Sequence, residues 1–464
     1  MRLTRLEPWI CEVEGIPRLD RETLECIQLR RLNELLAREK KRGGFYRGLP
    51  ERLGSLDGLR DLPFTTPEQL AENAPGLLLG SQAGVSRIIS GATSGTTGPS
   101  KRIFYTERDI EHTVGFFAAG ISELVSAGEA VCVAMPFSGP DGLGELICRA
   151  VERLGAWPVK MGAGRSLGEQ AELMESERPS AYIGMPVPLL GLLRWMGGPG
   201  SLKRALVSGD ACPEGVMGEL EKLLGARLFP HYGSREMCLG GAVTCPAHEG
   251  MHLRENHVLA EIVDGRGIPV RDGERGELVI TTLDMQAMPL IRYKTGDYTR
   301  FIPGPCACGG VTRRLDSLRR AREFPYMEEL DGALFRLPGL VDYAAGLDGS
   351  RLRLDAVGDI SSEELAALAG KLCPGLEISA SAAPAGPDFR GCYRGKRHIE
   401  RSAPRGRRGA RKLFNSLAEV AAAAPQKKKY NLGGGGCGAA NNCSGAECRS
   451  PPAGKAWSAA QPFA

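Results

Sequence analysis

The chain has 464 residues, 42% hydrophobic and 25% charged, too many for one ordinary core, so two or three globular domains are expected. Its net charge of +4 is uneven: from Arg394 onward fourteen Lys/Arg face three Glu, so a mildly acidic body ends in a strongly basic segment. Fourteen cysteines over this length exclude a small secreted disulfide scaffold, and the apolar run Val114 to Phe137, broken by Glu123 and Glu129, excludes a membrane span.

The opening MRLTRLEPWICEVEG carries charges but no apolar segment of the secretory kind, and a cytoplasmic protein is expected. Leu24, Ile27, Leu32, Leu35 and Leu36 share one face at helical spacing, with Leu29 at its edge, and predict an amphipathic helix over Arg21 to Lys40. In LPFTT (Leu62 to Thr66), Thr66 stands before Pro67-Glu68 as a helix cap. Next comes SGATSGTTGPSKRIFYT, Ser90 to Thr106: eleven Gly, Ala, Ser, Thr or Pro residues, then Lys101, Arg102 and a strand-like run. The GxxxxGK[ST] loop fails here, because Gly98 is followed by Pro99-Ser100, and GxSxG fails because Ser94 is followed directly by Gly95. A flexible linker is the plain alternative. Six hydroxyls, backbone N–H groups and an ammonium nonetheless make a clamp suited to an anionic phosphate chain.

From Ile110 to Arg204 short apolar runs such as AVCVAMPF and AYIGMP alternate with helical stretches, which predicts α/β layering. ALVSGD (Ala205 to Asp210) adds a buried strand and a turn, and Leu253 to Phe301 reads as short strands between Gly/Asp turns, a small β subdomain. Leu330 to Ala383 reads helix, strand, strand, helix, strand, a small α/β domain of ferredoxin-like size. After about Arg401 the chain is low in complexity and is expected to be disordered, with Cys437, Cys443 and Cys448 as incidental thiols. Its basic stretch has no interleaved aromatics and gives no reason to expect a nucleic-acid partner.

TSGTTGPSK (Thr93 to Lys101) resembles the phosphate loop of the adenylate-forming, acyl-activating superfamily, HYGSREM (His231 to Met237) its YGxTE element, and MPLIRYKTGD (Met288 to Asp297) its element ending in TGD. LPFTT, GELVITTL and CACG (Cys306 to Gly309) resemble the phenylacetate–CoA ligase branch, and the similarity runs in order over about residues 20 to 320. The resemblance implies an α/β protein with a large adenylation domain over 1–316, containing the β subdomain at about 253–303, a small α/β domain over 317–400 and a tail over 401–464. It implies ATP-dependent activation of a carboxylic acid, aryl or arylacetic by default, to an acyl-adenylate that coenzyme A then attacks. By the same resemblance Thr93, Ser94, Gly95, Thr96, Thr97, Gly98 and Lys101 hold phosphates, and Gly209, Asp210, Tyr232, Gly233 and Ser234 line the nucleotide site. Asp297 takes the ribose hydroxyls, Glu236 stands near Mg2+, Lys396 of YRGKRHIER bridges carboxylate and α-phosphate, and Arg314 of the hinge segment RRLDSL contacts the nucleotide. Phe137, Ser138, Gly139, Met185 and Pro186 are the expected acyl pocket. Partners implied are the acid, ATP and coenzyme A, with no membrane and with a homodimer as the assembly to test.

Three departures stand out: Arg235 replaces the usual Thr or Ser of YGxTE, the hinge lacks its glycine and second aspartate, and Ile399 stands where an arginine often follows the lysine. The Arg235 and hinge departures keep open a non-catalytic nucleotide-binding accessory protein, and the resemblance itself also allows AMP transfer to another acceptor without a thioester. Lys396 itself also reads as one more solvated charge in a basic run. Separately, Cys245-x6-His252 and the remote Cys306-x-Cys308 have the thiolate and imidazole make-up of a closed tetrahedral zinc site, with His248 as the substitute for His252. Unmetallated buried thiols are the plain alternative, and some members of the resembled branch carry zinc at similar spacing.

Overall fold

The computed structural model describes residues 2–91, 101–139, 142–320, 324–391 and 396–402. The expected phosphate-loop residues Thr93, Ser94, Gly95, Thr96, Thr97 and Gly98 lie outside these, as does the chain from 403 onward.

Local signals set the first elements. The predicted helix runs Arg21–Arg42, with the Asp20 side chain accepting from Thr23 N at its start and Gly43 left-handed at φ +70° at its end. Thr66 caps the helix Pro67–Leu77 through a reciprocal pair with Gln69, as LPFTT predicted. The helix Glu107–Ile121 has the same device in Thr106 and Asp109, and none of the described helices is long and apolar enough to cross a membrane.

The centre is an eight-stranded sheet in the order Arg314–Leu315, Met251–Leu253, Ala242–Thr244, Phe229–Tyr232, Arg204–Val207, Ala181–Gly184, Ala130–Ala134, Trp157–Lys160. Its last five strands are parallel and its first three antiparallel additions. Alternate residues of the central strands feed opposite cores. Val131, Val133, Ile183 and Leu206 pack with the helices Arg21–Arg42 and Glu107–Ile121, whereas Cys132, Ala134, Tyr182, Ala205 and Val207 pack with Pro186–Met196 and Glu214–Leu224. Burial on both faces is why these strands read as unbroken apolar runs. The β subdomain is a four-stranded antiparallel sheet of Val258–Val263, Gly276–Thr282, Tyr293–Thr299 and Arg319–Arg320.

The small α/β part follows the predicted order: helix Met327–Leu334, strands Leu340–Asp348 and Arg351–Gly358, helix Ser362–Leu372, strand Glu377–Ala383. A short strand Ile399–Arg401 joins its sheet parallel to Leu340–Asp348. The second core runs without a break from beneath the large sheet into this small one, through Leu189, Leu193, Val216, Leu330, Leu334 and Tyr343.

One buried group costs stability. Glu39 is 1% exposed, and neither carboxylate oxygen has a hydrogen-bond partner among the described residues. Burial pushes its carboxyl from 4.5 up to about 7, against the pull of Arg42 and Arg38. A pKa raised in the folded state means that stability is greatest below the unfolded pKa and falls as pH rises through about 7. Glu39→Gln, which does not titrate, is therefore expected to gain on the wild type by up to about 3 kcal/mol between pH 5 and pH 8. Urea unfolding at both pH values measures that gap, and a gap independent of pH would show that Glu39 ionises in the folded state as it does in the unfolded chain.

Candidate active site

The loops that follow the carboxyl ends of the parallel strands converge on a cavity of about 300 Å³. Gly209, Asp210, Tyr232 and Gly233 line it from the large sheet, Leu315, Asp316 and Arg320 from the segment entering the small domain, and Lys396 and Arg397 from that domain's last loop. Gly209 has φ +86°, a conformation that favours glycine, and a side chain at Gly233 would overlap the Leu239 carbonyl.

Beside the cavity the strand Tyr293–Thr299 presents Asp297, which accepts from Tyr232 OH at 2.8 Å and pairs with Arg320 at 3.4 Å. LPFTT explains itself here. Thr65 N donates to Arg292 O and Lys294 N to Thr65 O, both at 2.9 Å, so this segment is stitched beside the aspartate strand as it leaves its turn. Arg292 completes the brace with a two-pronged pair to Glu261 and bonds to the Arg60 and Leu62 carbonyls.

Lys101 begins the strand behind the phosphate loop. Its Nζ donates to Tyr293 OH at 2.6 Å and meets Glu236 Oε1 at 3.2 Å, and Tyr293 OH donates to the same oxygen at 3.1 Å. Burial alone would raise the Glu236 carboxyl, but Lys101 and local hydrogen bonds carry it below its usual value, so it is ionised. Arg235 is exposed while its carbonyl accepts from Tyr105 OH at 2.6 Å, and Ser234 precedes it in the same turn.

Lys396 lines the cavity and solvent still reaches its side chain. Desolvation first, and Arg320 second, lower its ammonium pKa, while Asp297, Asp210 and Glu236 pull it back up. These three carboxylates come from three separate segments of the large domain, so the lysine faces the expected nucleotide groups.

Other expected residues are placed differently. Arg314, expected at the nucleotide, is buried: its guanidinium donates to the Glu249 and Gly304 carbonyls at 3.0 and 2.8 Å and pairs with the Glu249 side chain. It lies on the strand beside Met251–Leu253, and strand alternation turns it away while Leu315 faces the cavity. Arg320, which nothing in the local sequence marks, takes the cavity position instead. Of the expected acyl pocket, Met185 packs near Gly209 with Met135, and Pro186 opens the following helix. Phe137 packs on Gly144 and Gly162 beneath the Lys160 ammonium, at the far edge of the sheet, and Ser138 and Gly139 follow it outward, exposed. None of these three lines the 300 Å³ cavity.

The four metal-ligand candidates do come together, although Cys245 and Cys308 lie 63 positions apart. Cys245 Sγ and Cys306 Sγ are 3.6 Å apart, and Cys308 Sγ lies 3.5 Å from His252 Nε2. A tetrahedral zinc with Zn–S of about 2.3 Å and Zn–N of about 2.0–2.1 Å needs S···S of about 3.8 Å and S···N of about 3.5 Å. The residues fit the ion. Burial lowers His252 to about 4, which keeps the imidazole neutral, and Thr312 Oγ1 at 2.9 Å holds Nδ1 so that Nε2 faces the thiols. Glu7 of the first helix accepts from Thr312 N and Oγ1, tying the amino-terminal helix to this site. His248 turns away to the Leu228 carbonyl. A second cluster, His112, His257 and Asp284, is already balanced by cations, for Arg31 meets at 3.1 Å the same Asp284 oxygen that both imidazoles approach.

A family model described as AMP-binding enzyme matches residues 92–286. Phenylacetate–coenzyme A ligase of Escherichia coli (strain K12) is 32% identical over 319 residues, 64% of this chain and 71% of that protein. The enzyme of the same name from Thermus thermophilus is 32% identical over 334 residues, 66% of this chain and 71% of that protein. The chain belongs to the phenylacetate–coenzyme A ligase branch of the adenylate-forming enzymes. Enzymes of this family are acid–CoA ligases: ATP converts a carboxylic acid to an acyl-adenylate, and the acyl group passes to coenzyme A. The fold agrees, for a 2-hydroxyisobutyryl-CoA ligase in the postadenylation state superposes with a TM-score of 0.69 at 19% identity, covering 86% of this chain and 92% of that one.

Proposed function

We propose that this protein activates an arylacetic acid with ATP and Mg2+ and transfers the acyl group to coenzyme A in the cytoplasm, where ATP and coenzyme A are at hand. The observation that carries the reading is Lys396, delivered by the small domain into the cavity lined by Gly209, Tyr232 and Arg320, the last of these paired with Asp297. The relatives named for phenylacetate favour an aryl acid, and Met135 and Met185 beside Gly209 offer an apolar wall.

In adenylation the acid's carboxylate attacks the α-phosphorus, and negative charge builds on the phosphoryl oxygens as pyrophosphate leaves. In this reading the Lys396 ammonium, which lines the cavity, touches both the attacking carboxylate and the α-phosphate and so stabilises charge that peaks in the transition state. Asp297 accepts from the ribose hydroxyls once Tyr232 OH yields its place, and the Tyr232 ring packs on adenine. Lys101 adds positive charge at the base of the phosphate loop. Mg2+ commonly takes one or two carboxylates, waters and substrate phosphates, and the ionised Glu236 suits it. When bound, the metal would neutralise charge on the leaving pyrophosphate. Cys245, His252, Cys306 and Cys308 would hold a structural zinc that joins the large sheet's edge to the loop before Arg314.

A panel of carboxylic acids, each with ATP, Mg2+ and coenzyme A, tests the reading. Pyrophosphate, AMP and an acyl-CoA thioester are expected in equal amounts, best with an arylacetic acid. Acid-dependent pyrophosphate release without thioester would support AMP transfer to another acceptor. Absence of acid-dependent pyrophosphate exchange into ATP would make the protein a nucleotide-binding accessory.

A further inference from the structure

Asp210, expected at the nucleotide, has both carboxylate oxygens engaged with protein. Oδ1 accepts from Ala211 N at 2.9 Å, and Oδ2 accepts from Arg397 N at 2.6 Å. The second bond crosses from a loop of the large sheet to the residue that follows Lys396. Arg397 is 6% exposed, and among the described residues its guanidinium is anchored by groups of the small domain. Nε meets both oxygens of Asp331 at 3.0 and 2.9 Å, Nη1 meets Asp342 Oδ1 at 2.9 Å, and Nη2 donates to the Tyr343 carbonyl at 3.0 Å. Tyr343 OH donates to Asp331 at 2.7 Å, and the guanidinium lies 4.6 Å from the Tyr343 ring centre. Two residues later Ile399–Arg401 pairs with Leu340–Asp348.

A buried guanidinium held by two carboxylates and a carbonyl has little freedom, since displacing it would strand a charge in the core. The main chain at Lys396 is thus fixed on the small-domain side by Arg397 and on the large-domain side by Asp210. We propose that Arg397 and Asp210 are positioning residues for adenylation: the guanidinium sets the Lys396 main chain in the small domain, and the Asp210 carboxylate docks that segment over the cavity. Neither touches the reacting atoms. The inference rests on Lys396 being the adenylation lysine, as proposed above.

Asp210→Ala, Arg397→Met and Lys396→Ala are compared by acid-dependent pyrophosphate exchange, by thioester formation from a pre-made acyl-adenylate and coenzyme A, and by melting temperature. Displacing a catalytic group by about 1 Å can cost about 10²-fold in rate. Asp210→Ala is therefore expected to lower kcat of exchange about 10-fold or more with KM for ATP changed less than about twofold, and Arg397→Met to lower it further. Both should keep thioester formation from the acyl-adenylate. Should Arg397→Met fail to fold, Asp210→Ala, which leaves the small-domain core intact, decides alone. If Lys396→Ala abolishes exchange while Asp210→Ala exchanges at the wild-type rate, the docking role is wrong and the lysine's role stands. If Lys396→Ala itself exchanges normally, the lysine reading fails, and the positioning role fails with it. A rise in KM for ATP with kcat unchanged in Asp210→Ala would make Asp210 a nucleotide contact and overturn the proposal.

Discussion

Lys396→Ala is expected to lower acid-dependent pyrophosphate exchange by about 10²-fold or more, the scale of losing one group that stabilises transition-state charge. ATP affinity should change little, because the ammonium's contribution is concentrated where charge develops and not in the ground state. The lowered pKa of Lys396 also shapes the pH dependence of exchange. Arg320 and desolvation favour the neutral amine while Asp297, Asp210 and Glu236 favour the ammonium, so exchange is expected to fall on the alkaline side as the lysine deprotonates, below the pH of an ordinary lysine. The alanine variant should lack that alkaline limb. Thioester formation from a pre-made acyl-adenylate should survive, since that step displaces AMP and needs no charge at this position. Equal exchange in variant and wild type would return Lys396 to the status of a solvated charge and strengthen the accessory reading.

Removing one zinc ligand should have the largest effect on stability. Purified protein is expected to carry about one zinc per chain, and Cys306→Ser to lose it together with about 5 °C of melting temperature, the fall that a loss of about 3–4 kcal/mol produces in a domain of this size. The loss reaches beyond the loop. His252 lies on the strand that pairs with Arg314–Leu315, and Thr312 links the site to Glu7, so an emptied cluster would loosen the amino-terminal helix and the segment entering the cavity together. Chelation of the wild type should reproduce the variant's melting curve. Metal-free protein of full stability after ordinary purification would leave the four side chains as a buried thiol cluster.

The sequence by itself determined the elements and the family. The Arg21–Arg42 helix, the Thr66 cap and the strands from Ala130 to Val207 follow from spacing, capping chemistry and apolar runs, all carried by neighbours in the chain. The motifs around Lys101, Tyr232 and Asp297 were legible because each is a short contiguous stretch at a strand end, where side chains and backbone act together. The Cys245, His252, Cys306 and Cys308 quartet was legible for another reason: thiols and imidazoles have a narrow chemistry, and their spacing narrowed the candidates.

Only the tertiary structure decided what the charged residues do. Arg314 and Arg320 are chemically identical and six positions apart, yet one is buried against Glu249 and the other faces Asp297. Strand alternation and the pairing partner make that choice, and neither is written locally. Arg397 in "GKRHIE" is indistinguishable from the basic run around it until Asp331 and Asp342 close on it from 66 and 55 positions away. Asp210 was expected at the nucleotide from the resemblance, and its bond to Arg397 N, 187 positions away, is likewise not written locally. An ionic group's role is set by which opposite charge packing brings within about 3 Å, because burial makes that pairing obligatory and the chain can supply the partner from any distance.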